Sequence, residues 1–178
     1  MVSKPEYSKV RFNSLHSIEN GELLNVNGTV VSGLPAFDPH DLWHSRLRLA
    51  INPKDIYKPV DEGCAFLFGG SWGYSWENIR TRFKKYIKAN PDADWLKLQS
   101  QKVNYGTEAG KELRVDYTIN ALIVKKIMQE KDFESVRKLV SIGRDQKNLD
   151  KYFEVLESIT GINRENFNTQ IDGLIKEI

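Results

Sequence analysis

Histidine is scarce in this chain: His16, His40 and His44 are all it has, and two of the three lie four positions apart. On a helix, residues four apart sit one turn above each other, so His40 and His44 would present ring nitrogens to a common point, as zinc-binding helices do. Leu47 and Ile51 continue their stripe, which puts the histidines on a face that should point inward. Glu62 heads a similar stripe with Ala65, Phe66 and Gly69. A carboxylate facing inward is costly unless a cation or several donors satisfy it. A metal held jointly by His40, His44 and Glu62 would resolve all three costs. Three protein ligands with one open position is also the arrangement that activates water for hydrolysis. The plainer alternative is a pair of hydrogen-bonded histidines on a half-buried helix, with Glu62 complementing a helix N-terminus.

These residues resemble the gluzincin zinc metallopeptidases, including the peptidase MA-like group. That family carries His-Glu-x-x-His on one helix and a third ligand, Glu, on the next helix, commonly in an acidic-Glu-Gly stretch. Here Pro39-His40-Asp41-Leu42-Trp43-His44 is followed by Val60-Asp61-Glu62-Gly63-Cys64-Ala65, with 17 residues between His44 and Glu62. The resemblance covers residues 38 to 70. It implies a zinc ion on His40, His44 and Glu62, and a peptide or protein substrate. It also implies a downstream Tyr or His that stabilises the oxyanion; no histidine follows His44, so Tyr117 takes that place, with Tyr74 and Tyr105 as competitors. Asp61 becomes an acceptor that orients a ligand histidine.

The departure from the family pattern is Asp41, which stands where the family has its catalytic Glu and is one methylene shorter. A general base works within about 3 Å of the water it activates, and a misplacement of ~1 Å can cost about 100-fold in rate. Asp41 has a structural role open to it as well: three residues after Asp38, it lies in the first helical turn, where an acid favours the dipole and resembles half of a capping box. The family also places a larger sheet ahead of the histidine helix, and only 37 residues precede Asp38 here. The chain therefore reads as a truncated or degenerate member, or as one whose substrate groove is reduced to a hairpin. Two functions follow: a zinc-dependent peptide hydrolase weakened or silenced by Asp41, or a non-catalytic pseudopeptidase acting as a helical binding or structural module. Many such relatives are exported, although Met1 to Tyr7 lack the apolar segment of a signal peptide.

The elements that must position these residues are mainly helical, which makes the expected fold class mainly α: a gluzincin-like helical domain over 38–178 behind an N-terminal leader, 1–37. In the leader, Glu22 to Val26 and Thr29 to Val31 form a hairpin about Asn27-Gly28. Asp38 caps a helix with Pro39 at its first position, and Asn52-Pro53 stops it. A second helix begins near Asp61 and ends at Gly69-Gly70. A third, capped by Ser75, buries Ile79, Phe83, Tyr86 and Ile87 before Asn90-Pro91. Leu113, Val115, Tyr117 and Ile119 alternate like a strand, but the run through Glu130 favours a long helix from Tyr117 or Thr118. Three short helices open at Asp132, Asn148 and Asn163, and the first two end at Gly143 and Gly161.

Composition narrows the partners. Lys plus Arg exceed Asp plus Glu by only two, 26 against 24, so no field favours nucleic acid or an anionic membrane. No apolar run approaches the ~20 residues that span a bilayer. The five basic residues between Arg80 and Lys88 alternate with apolar ones at helical spacing and read as a solvated amphipathic face. The glycines at 69, 70 and 73 fit neither a phosphate loop nor a dinucleotide fingerprint, and Cys64 reads as a core thiol.

Overall fold

In a computed structural model of the chain, the residues described are 39–71, 73–106, 113–145 and 149–178, with the backbone of 24–26 and 29–31. They form a mainly helical structure. Among them, eight helices follow one antiparallel ladder: α1 (Pro39–Ala50), α2 (Lys58–Gly69), α3 (Trp76–Ala89), α4 (Trp95–Leu98), α5 (Val115–Glu130), α6 (Phe133–Val140), α7 (Asp150–Thr160) and α8 (Phe167–Lys176). The ladder pairs β1 (Leu24–Val26) with β2 (Thr29–Val31) in the register Leu24 to Val31 and Val26 to Thr29. The expected Asn27-Gly28 turn, the Asp38 and Asn148 caps and His16 lie outside the described residues.

α5 is the axis of the fold. Every residue from Val115 to Val124 is buried, including Asp116, Thr118 and Asn120, so this part of the helix is enclosed on all sides and shows little amphipathicity. Its polar residues are satisfied internally. Arg114 grips Asp116 through Nε and Nη2 at 2.9 and 2.6 Å, and Asn120 joins Gln99 to the hydroxyl of Tyr152. α2 lies directly on α5 because Gly63 has no side chain; a Cβ there would meet the backbone of Asn120 and Ala121 at 2.8 Å. The main core then collects Val60 of α2, Phe83 of α3, Ile119 and Ile123 of α5, Leu139 of α6, Leu156 of α7 and Phe167 and Ile171 of α8. Leu47 of α1 and Trp95 of α4 join the same cluster.

Several helix limits differ from the sequence expectation, each for a local reason. α2 starts at Lys58 rather than near Asp61, because Pro59 sits in its first turn, where the missing N–H breaks no bond. α5 starts at Val115, two residues before Tyr117. The alternating stretch ahead of it makes a brief bridge instead of a strand, with Tyr105 N–H donating to Leu113 O and Val115 N–H to Val103 O. α8 starts at Phe167, because Asn163 spends its side chain on the N–H groups of Glu165 and Asn166 in a preceding turn. α6 ends at Val140 and not at Gly143, whose N–H bonds Asp55 O instead. α4 had no sequence signal long enough to announce it. The Ser75 and Asp132 caps and the left-handed Gly161 stand where the pattern placed them.

Candidate metal centre

α1 and α2 run antiparallel, since His40 near the start of α1 meets Gly70 at the end of α2 and His44 meets Asp61 near its start. Two glycines allow this close pairing. A Cβ on Gly69 would lie 2.3 Å from His40 N and 2.6 Å from its Cα, and Gly70 takes a positive φ of 75° that lets the chain leave the helix. The glycines the sequence offered only as a helix stop are thus what brings the first histidine against the second helix.

Both imidazoles are held by their Nδ1 atoms. His40 Nδ1 lies 2.7 Å from Gly70 O; a carbonyl only accepts, so His40 donates there. His44 Nδ1 lies 3.0 Å from each oxygen of Asp61, whose carboxylate also accepts from Trp43 Nε1 at 2.9 Å. The two Nε2 atoms lie 3.1 Å apart, within hydrogen-bond distance of each other. Glu62 Oε2 completes a triangle at 3.6 Å from His40 Nε2 and 3.9 Å from His44 Nε2. One donor atom from each of His40, His44 and Glu62 falls within 4.8 Å of the other two, so the group can hold a metal ion.

The chemistry of the donors fits that use. With hydrogens committed at Nδ1, the two Nε2 atoms are close enough for a shared proton or a cation to stand between them. Two ligands at about 2 Å from a tetrahedral zinc ion lie about 3.3 Å apart, close to the spacing found. The surroundings are negative. Burial opposes a charge on His44, but the Asp61 hydrogen bond and the charges of Asp61, Glu62 and Asp41 outweigh it and raise the imidazole pKa. Surroundings that favour a proton on His44 favour a divalent cation for the same reason. Glu62 is balanced on its far side by Lys58, whose Nζ is 3.7 Å from Oε1.

The remaining site residues stand further out. Asp41 is half-buried in the first turn of α1, near enough to act on His44 through its charge. Tyr117 is buried on α5, its ring edge-on to Phe66 at 5.8 Å and beneath the Arg114 guanidinium at 4.1 Å. Phe66 in turn lies 6.1 Å from the His40 ring, so Tyr117 reaches the cluster through a shared aromatic wall. Of its competitors, Tyr74 accepts from Arg82 and Tyr105 is bonded to Thr118. Cys64 is fully buried and its thiol is pushed well up by desolvation, consistent with a core residue. Sequence reasoning placed Asp61 beside a histidine but missed Trp43 and the Gly70 carbonyl, because an indole and a main-chain oxygen carry no ligand signature.

Among the described residues no helix is long and apolar enough to cross a membrane. No family model matches the chain, and no curated protein or solved structure proves similar to it.

Proposed function

We propose that His40, His44 and Glu62 hold a zinc ion and that the chain is a gluzincin-like metallopeptidase domain. The observation that carries this reading is the 3.1 Å approach of two Nε2 atoms whose Nδ1 atoms both donate elsewhere. Two imidazoles and one carboxylate suit zinc, and they leave one coordination position open. A zinc ion held by these three residues would supply a Lewis acid for a carbonyl oxygen and an acidified water. Asp41, in the first turn of the same helix and one methylene shorter than glutamate, is the proposed acceptor for a proton from such a water. Tyr117 is the proposed donor to the oxyanion, supported by its contact with Phe66 beside His40.

Asp41 also favours a second reading, a non-catalytic pseudopeptidase that keeps the metal. An acid in the first turn of a helix complements the dipole without any catalytic duty. Hydrolysis of an unstructured peptide, with and without chelator, separates the two. The peptidase reading expects slow, chelator-sensitive cleavage by the wild-type chain, a gain on the order of 100-fold in Asp41→Glu and loss in Asp41→Asn. Zinc-loaded Asp41→Glu that cleaves no peptide establishes the second reading instead.

A further inference from the structure

Trp43 belongs to neither the ligand set nor the core proper. Its ring is half-buried and leans on two exposed rings, Phe68 at 5.3 Å and Phe133 at 5.9 Å. Rings on a surface need no polar partner, yet this indole turns its N–H inward to Asp61 Oδ1 at 2.9 Å.

That contact changes what Asp61 can do. The Asp61 side chain is only 10% exposed, so an unpaired carboxylate there would be costly. Its two oxygens share a single imidazole N–H, at 3.0 Å each, which leaves the carboxylate free to rock about the axis to His44. The Trp43 N–H on Oδ1 breaks the symmetry and sets the plane of the carboxylate. The plane of the carboxylate sets the His44 ring, and the ring sets where Nε2 points. Trp43 and His44 are adjacent on α1, whereas Asp61 is on α2, so one helix grips the acid with two consecutive side chains.

We infer that Trp43 is a positioning residue for the metal centre: through Asp61 it fixes the orientation and tautomer of His44. The inference rests on the zinc reading above. Hydrogen-bond partners behind a ligand histidine are worth about 10–100-fold in metal affinity, and Trp43 acts one bond further out, which places its effect at about tenfold.

The test is zinc affinity of the full chain by competition with a chromophoric chelator, in wild type, Trp43→Phe and Phe68→Leu. Trp43→Phe keeps a smaller aromatic ring against Phe68 and Phe133 and removes the N–H; Phe68→Leu removes a ring contact and keeps the N–H. The expected result is about tenfold weaker zinc binding in Trp43→Phe and wild-type binding in Phe68→Leu. The metal-free proteins give a second reading: imidazole nitrogen NMR should find His44 locked with its hydrogen on Nδ1 in wild type and mixed between tautomers in Trp43→Phe. Equal zinc affinity in wild type and Trp43→Phe, with an unchanged His44 tautomer, overturns the role of Trp43 and leaves the centre standing. Equal losses in Trp43→Phe and Phe68→Leu overturn it too, since ring packing would then be the cause. A wild-type chain that binds no zinc removes the centre itself.

Discussion

At the scale of residues, the cluster is legible in sequence as far as helix geometry reaches. Four-residue spacing and two inward stripes identify His40, His44 and Glu62, because those relations are local to single helices. What local spacing does not contain is the contact between helices: the Gly70 carbonyl under His40 and the Trp43 indole on Asp61 depend on how α1 crosses α2. Asp61 carries a prediction of its own. Asp61→Asn keeps the shape and one acceptor oxygen but removes the charge, so it should weaken zinc binding by about 10–100-fold, measured by chelator competition. Asn at that position also donates, and its amide nitrogen facing His44 Nδ1–H would push the ring toward the wrong tautomer. A variant that binds zinc as tightly as wild type contradicts the assigned role of Asp61.

At the scale of elements, two glycines and one contrast make the packing testable. Gly69 lies against the backbone of Pro39 and His40, so Gly69→Ala must push α1 away from α2. The expected cost is about 1–3 kcal/mol from overpacking, accompanied by weaker zinc binding, since the displaced helix carries both histidines. Gly173 sits inside α8, and a Cβ added there would have nothing within 4 Å, so Gly173→Ala should stabilise the fold by about 0.5–1 kcal/mol. Chemical denaturation of both variants checks the opposite signs; a neutral Gly69→Ala would mean the two helices are not held this closely. The element limits themselves were readable where a cap or a left-handed glycine marks them, as at Ser75, Asp132 and Gly161. They were not readable where a breaker residue stands at a tolerated position, as Pro59 does, or where Asn163 caps a turn ahead of the helix.

At the scale of the whole molecule, the mainly helical class follows from periodicity, whereas the enclosure of α5 does not. A helix that is buried all round carries no amphipathic stripe, and its alternating start imitates a strand. The enclosure leaves phenols around α5, Tyr57 and Tyr152 buried and Tyr105 half-buried, whose ionisation reports on the fold. Burial raises the pKa of Tyr57, Tyr105 and Tyr152 above the ordinary tyrosine value of about 10. A group with a raised folded-state pKa contributes stability that is intact below its unfolded value and is lost as pH climbs toward the folded one. Above pH ~10 the unfolded chain releases these protons while the folded chain keeps them, so stability should fall as pH rises further. Ultraviolet titration of phenolate should find these three tyrosines silent until the protein unfolds; smooth ionisation of all seven tyrosines in a folded chain contradicts their burial.

Whether α1 and α2 meet to hold one metal ion is decided by zinc titration of the purified full chain against a competing chelator. About one zinc ion per chain is expected, with binding weakened at least ~100-fold in His40→Ala, His44→Ala and Glu62→Gln while the helical content of each variant is retained. A wild-type chain that binds no zinc, or one whose binding survives all three substitutions, contradicts this expectation.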